Sequence, residues 1–210
     1  MTTGNDRLVR EVLRSHGRTY AAEAGISLRN TPAPLFQLLV LCLLLSARIR
    51  ASVAVASARA LFDAGLQDAA SMAGATWQQR VDALGEGGYR RYDERTSTQL
   101  GRAAALVLDR YGGDLRRLRG AGDVGRLLQE VPGIGPTGSR IFLREVQALW
   151  PEEAPRFDGK AREGAARIGL PTSAEELERL VPRKDLPRLA AALVRVALDP
   201  HAGEEVANAA

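Results

Sequence analysis

Val131-Pro132-Gly133-Ile134-Gly135-Pro136-Thr137-Gly138 is the stretch whose residue types and spacing are most able to do chemistry. Residues 123–130 before it and 139–150 after it both carry helical apolar periodicity, so it reads as a tight corner between two helices. Both glycines can take φ > 0 and present their N–H groups outward. Pro136 suits the first position of the second helix, where a missing N–H costs nothing. The free first-turn amides and the positive end of the helix dipole together make an anion site, and a phosphodiester is the anion this pattern suits best. Ile134, between the glycines, is expected to turn inward and pin the loop. Arg140 and Arg144 lie one turn apart on the second helix and are expected to face phosphates or solvent, with Glu145 beside them marking a partly solvated face.

This arrangement resembles the helix–hairpin–helix motif of proteins that bind DNA without sequence preference. The structural alternative is an ordinary helical corner rich in glycine, for which Gly-x-Gly alone would be weak evidence. A helix on each side and the two arginines favour nucleic acid.

The elements that must position this corner are helical throughout. The chain has 210 residues, only 5% of them aromatic, and its alanine, leucine and arginine content with 3.6-residue periodicity reads as an all-α fold. A net charge of +4 is compatible with a polyanionic partner. The one cysteine, Cys42, excludes an intrachain disulfide framework and an iron–sulfur cluster held by four cysteines. His16 and His201 sit near opposite ends of the chain, so no metal site is expected. Residues 35–45 are strongly apolar but too short to span a bilayer, which makes them a buried helix and excludes a membrane partner. No charged-then-apolar export pattern opens the chain. The expectation is a reduced, cytoplasmic, nucleoid-associated monomer.

Along the chain, helices are expected over residues 6–16, 35–48, 53–64 (capped by Ser52), 66–73, 76–84 and from Asp93 or Glu94 to Tyr111. Gly85-Glu86-Gly87-Gly88 reads as a loop. Beyond the hairpin, residues 151–157 are expected to be extended, with Asp158 capping a helix that runs through Ile168. Ser173 with Glu176 makes a capping box, residues 186–198 form the last helix, and residues 203–210 read as a frayed tail. Trp77 and Trp150 are assigned to core or interface.

In this order the landmarks are similar to those of the endonuclease III-like, HhH-GPD superfamily of DNA glycosylases, from about Pro34 to Leu198. Pro34-Leu35-Phe36-Gln37-Leu38-Leu39 with Leu44-Leu45-Ser46-Ala47-Arg48 looks like the first barrel helix, Gly88-Tyr89-Arg90 like the wedge loop, and Phe157-Asp158 like the hydrophobic-Asp pair that follows the hairpin. The resemblance implies two helical lobes, residues 34–150 and residues 1–33 with 151–210. Duplex DNA would be the partner, and a damaged or mispaired base would be flipped out and released by hydrolysis of its N-glycosidic bond. Asp158 would stabilise the sugar cation. The amides of Gly133, Ile134 and Gly135 would hold a backbone phosphate, with a structural monovalent cation at the hairpin and no cofactor required for the chemistry.

Departures from the family pattern matter as much. Thr137 stands where bifunctional members carry a lysine that attacks the sugar, so a monofunctional enzyme without lyase activity is implied. Arg48 replaces a frequent glutamine, Gly159-Lys160 replaces a frequent Thr-His, and the family's cysteine quartet is absent. Each site residue also has a plainer reading. Asp158 can be only a helix cap, a role worth about 1 kcal/mol. Lys160, with Arg156 and Arg162, can contact phosphate or simply be solvated. Arg48 can stack in the gap left by a flipped base or answer a helix dipole. Tyr89, flanked by glycines and by Arg90 and Arg91, can wedge into a base stack or pack back on the barrel. Two other functions fit the residues: a non-catalytic helix–hairpin–helix DNA-binding protein, favoured by Thr137 and Gly159-Lys160, and an abasic-site lyase using Lys160.

Overall fold

Helix follows helix through residues 3–90 and 93–209, the residues that this computed structural model describes, with no strand among them. The helices are α1 (Thr3–His16), α2 (Tyr20–Glu23), α3 (Pro32–Leu45), α4 (Ala51–Asp63), α5 (Ala69–Gly74), α6 (Trp77–Glu86) and α7 (Asp93–Tyr111), followed by α8 (Val124–Gln129), α9 (Pro136–Val146), α10 (Gly159–Arg167), α11 (Ala174–Glu178), α12 (Leu186–Leu198) and α13 (Pro200–Ala209). None is long and apolar enough to cross a membrane. The chain divides into two compact units, Met1–Tyr20 with Leu143–Ala210, and Ala21–Phe142. These divisions fall at residues 20/21 and 142/143, whereas the sequence reading set them at 33/34 and 150/151.

The unit Ala21–Phe142 is built around α3. Its residues Leu35, Phe36, Leu38, Leu39, Val40, Leu41, Cys42, Leu43 and Leu44 are all buried, because a helix apolar on every side has no face to give to water. Expected over residues 35–48, α3 instead begins at Pro32 and ends at Leu45, since proline is pre-shaped for a first helical turn. Ser46 then closes the helix by donating its hydroxyl to the Cys42 carbonyl at 2.6 Å. Arg80, only 8% exposed, joins α5, α6 and α7. Its guanidinium donates to the carbonyls of Met72 (3.0 Å), Ala75 (2.7 Å) and Ser97 (3.0 Å). Burial pushes that guanidinium below its ordinary pKa.

Local signals decide most boundaries. Thr76 with Gln79 forms a capping box for α6, and Asp68 with Ser71 does the same for α5. α4 starts two residues earlier than expected, with Arg50 rather than Ser52 at its N-cap. α6 runs on through Gly85 and Glu86, so only Gly87 and Gly88 of the glycine-rich run lie outside it. Trp77 is a correction, at 41% exposed, because it occupies the first turn of α6 and hands its indole N–H to the Glu94 carbonyl.

In the other unit, Val12, Phe157, Ala165, Leu177, Leu189, Leu193 and Val206 share one core. The expected frayed tail is the helix α13. Pro200 opens it, and Ala202 and Val206 are buried in that core. α10 and α12 cross almost backbone to backbone, and a Cβ on Gly164 would lie 1.9 Å from the Leu193 carbonyl oxygen. Gly164→Ala must therefore push the two helices apart, an overpacking cost of about 1–3 kcal/mol. Urea denaturation should show a clearly lowered midpoint, while Gly159→Ala, whose Cβ would meet nothing within 4 Å, should not.

Candidate nucleic-acid interface and carboxylate site

Within the unit Ala21–Phe142, the corner between α8 and α9 has the geometry of an amide-lined turn. Asp123 caps α8 by accepting from the Arg126 N–H at 3.1 Å, and the Ile134 N–H closes the turn on the Val131 carbonyl at 3.0 Å. The first helical bond of α9 runs from the Ser139 N–H to the Gly135 carbonyl at 3.0 Å. The N–H groups of Gly133, Gly135, Thr137 and Gly138 thus precede or open the helix without a bond of their own in the turn, and Pro136 has none to satisfy. Ile134 is 4% exposed and anchors the loop as expected. Its amide is already spent, so the open amides of the corner are those of Gly133, Gly135 and the first turn of α9, rather than the expected set of Gly133, Ile134 and Gly135. Gly133 has φ 88°, and a Cβ there would sit 2.7 Å from Leu43 Cδ1 of α3. Gly135 faces open space instead. Arg140 is exposed and has no ion-pair partner among the described residues.

Beside this turn lies a cavity of about 400 Å³ lined by Leu43, Ser46, Ala47, Arg48, Tyr89, Arg95, Thr96, Gln99 and Gly133. Arg48 is exposed in the loop after α3, and Arg95 is exposed in the first turns of α7. Tyr89 does not project as a wedge. It is 2% exposed, with its hydroxyl hydrogen-bonded to that of Thr96 at 3.0 Å, so only a wall of the cavity is left to it. Its neighbour Arg90 is exposed, and Arg91 lies outside the described residues. Arg95 and Gln99, one turn apart on α7, escaped the sequence reading although their spacing places them on one face.

Asp158 belongs to the other unit, where the chain positions it with care. Gln147, fully buried, donates to the carbonyls of Arg144 (2.9 Å) and Arg156 (3.2 Å) and accepts the Arg156 N–H at 2.8 Å. This ties the extended segment to the end of α9, and Phe157 plugs into the core at 3% exposed. Asp158 then caps α10, Oδ1 accepting the Ala161 N–H at 3.0 Å, while Oδ2 accepts from Arg144 Nη1 at 2.8 Å. Arg144 is therefore neither a phosphate contact nor a solvated residue. It is 4% exposed, and Glu145, at 2%, accepts the Tyr20 N–H at 3.2 Å. The periodicity of α9 carries two charges into the interior, which a count of apolar positions does not anticipate.

The remaining cations near Asp158 are engaged locally. Lys160 is exposed and pairs with Glu163 at 2.6 Å, which holds the Glu163 carboxyl below its ordinary pKa. Arg156 pairs with Glu153 at 2.5 Å, and Arg162 donates to the Phe157 carbonyl at 3.0 Å. Trp150, fully buried, is core.

No protein-family model and no curated protein sequence matches the chain. Solved structures do. A trapped endonuclease III–DNA covalent intermediate, an estranged-adenine complex, superposes with a TM-score of 0.51 at 15% identity, over 92% of this chain and 85% of that one. A non-covalent endonuclease III–DNA complex matches with the same TM-score, identity and coverage. The likeness is one of fold: the chain has the all-helical, helix–hairpin–helix fold of endonuclease III.

Two outcomes follow from these contacts. Gly133→Ala should destabilise the protein, through a strained φ and the clash with Leu43, whereas Gly135→Ala should unfold at the wild-type urea midpoint. Capping alone would let asparagine replace Asp158 at little cost. The buried Arg144 charge changes that, since it would lose its partner. Asp158→Asn should cost about 2 kcal/mol, toward the low side for a pair that is not wholly buried. In an Arg144→Met background the same change should cost much less, and a coupling energy near zero in this double-mutant cycle would refute the pairing.

Proposed function

We propose that the protein binds duplex DNA through the hairpin and releases a damaged or mispaired base by hydrolysing its N-glycosidic bond, without cutting the strand. The observation that carries this reading is Asp158, a carboxylate fixed through both oxygens at the head of α10 in a chain with the endonuclease III fold. As the bond from the base to the sugar breaks, the base takes the bonding electrons and the sugar becomes cationic. A preorganised carboxylate stabilises that cation. Each carboxylate oxygen has a second lone pair, and the 17% exposure of the Asp158 side chain leaves room for water to be oriented. Water adds at the sugar carbon, its proton is lost, and a free base and an abasic site remain.

The hairpin amides and the exposed Arg140 suit a backbone phosphate. The carbonyls of Pro132, Gly133 and Ile134 accept no backbone hydrogen bond among the described residues, so their oxygens fit a monovalent cation, which would supply further positive charge at the phosphate. Thr137 has no amine with which to form an imine, and the exposed pairing of Lys160 with Glu163 supports a solvated role for that lysine. One observation favours a second reading, a DNA-binding protein without catalysis: both Asp158 oxygens already have partners within the chain.

The test is incubation of pure protein with duplexes bearing single lesions or mispairs, followed by alkali to cut at abasic sites. Alkali-dependent cleavage at one lesion class is expected, with no covalent adduct after borohydride. Binding should weaken with salt by a slope of about −0.9 in log K per phosphate neutralised. An adduct lost in Lys160→Ala would make the protein a lyase. Salt-sensitive binding without any abasic product would leave the non-catalytic reading.

A further inference from the structure

A second cavity, of about 490 Å³, opens within the unit Ala21–Phe142 at the start of α3 and the end of α4. Its wall includes Ser27, Pro34, Gln37, Arg59, Phe62 and Asp63. Leu43, where α3 meets the hairpin, lies about 9 Å further along the helix than Gln37, at 1.5 Å per residue. Three of the lining side chains sit where stability alone would not put them. Gln37 is the one polar side chain of α3 besides the Cys42 thiol. It is half-buried and has no hydrogen-bond partner among the described residues, a placement that costs stability. Asp63 is the last residue of α4, where the negative end of the helix dipole disfavours a carboxylate. It is exposed, with no ion-pair or hydrogen-bond partner among the described residues. Arg59 stands one turn before Asp63, the spacing at which opposite charges pair, yet it donates to the Glu23 carbonyl instead.

The wall thus offers a cation and an anion that do not neutralise each other, an unspent amide, and apolar surface from Pro34 and Phe62. A phosphate would be opposed by Asp63, and a simple cation by Arg59. A molecule that carries both charges uses both groups. Pro32 and Pro34 leave the first turn of α3 short of N–H groups, so a carboxylate must find its donors on Arg59, whose guanidinium has N–H groups beyond the one given to Glu23. An ammonium suits Asp63 at the negative end of α4. We propose that this cavity binds a small zwitterion of the free amino acid class, its carboxylate on Arg59, its ammonium on Asp63, and Gln37 hydrogen-bonding between them. The volume lies within the range of small-molecule pockets. The site shares no residue with the hairpin, the cavity beside it or Asp158, so the inference stands apart from the proposed function.

The test is an NMR titration of the isotope-labelled full chain with each protein amino acid and with γ-aminobutyrate. At least one should bind with a Kd of about 1 mM or tighter and shift the side-chain amide signals of Gln37. Its N-acetyl derivative and its carboxamide, each lacking one charge, should bind about 10-fold weaker or more, the loss expected for one charge-assisted hydrogen bond. Asp63→Asn should weaken binding by a similar factor. The same variant should keep or raise the urea midpoint, because it removes a carboxylate from a helix C-terminus. Gln37→Leu should likewise lower affinity without loss of stability. Absence of saturable shifts at about 10 mM of every compound would overturn the site. So would equal affinity for the acetylated or amidated form, or affinity that survives Asp63→Asn. The proposed function is tested separately, by duplex binding and base release.

Discussion

A nearly buried arginine charge must have a carboxylate, and the Arg144–Asp158 pair meets that demand at the end of α9. Much of the surrounding architecture answers to it. Gln147 holds the extended segment against α9 so that Asp158 arrives at Arg144, and the same aspartate starts α10. α10 must in turn lie close enough to α12 for Gly164 to pass the Leu193 carbonyl. The carboxylate is thus fixed by a cap, an ion pair and the packing beyond it. A charge held so firmly needs little reorganisation when a cation forms nearby, which is the condition for strong electrostatic stabilisation. The arrangement also opposes itself, because the Arg144 cation offsets part of the field that Asp158 can offer.

Charge is unevenly shared between the two units. Residues 21–142 contain 15 arginines and no lysine against 11 carboxylates, a surplus of +4, whereas the remaining residues contain 14 basic and 14 acidic groups and are neutral. The whole net charge therefore belongs to the unit with the hairpin. Under the proposed function, arginine would suit that unit better than lysine, since its planar fork serves phosphate oxygens and base edges alike.

Much of this was legible in the sequence. Pro136 and the paired glycines announce the hairpin, Ile134 announces its anchor, and Asp158 announces a helix start, because each acts through local backbone chemistry. The fold class followed from periodicity. Less legible were the residues whose role depends on a partner distant in sequence. Arg144 and Glu145 looked solvated because charged residues mostly are, and only the packing of α9 shows that they are buried. Tyr89, after a glycine run, could be read as a wedge or as packed back on the barrel, and only the structure decides for packing, because half of that run is helical and Thr96 holds its hydroxyl. Arg95 and Gln99 carry no motif and gain meaning only when α3 and the hairpin wall the same cavity.

In the proposed function Asp158 acts on the sugar and does more than hold α10. The most direct measurement is the single-turnover rate of base release by the double variant Arg144→Met Asp158→Asn, compared with wild type on the lesion that wild type excises. This variant removes the buried charge together with its partner and keeps a side-chain oxygen for the cap, so the fold should persist. A loss of about 100-fold or more in rate is expected, with DNA binding retained. A folded double variant that releases the base within a few-fold of the wild-type rate would contradict it and leave Asp158 as a cap.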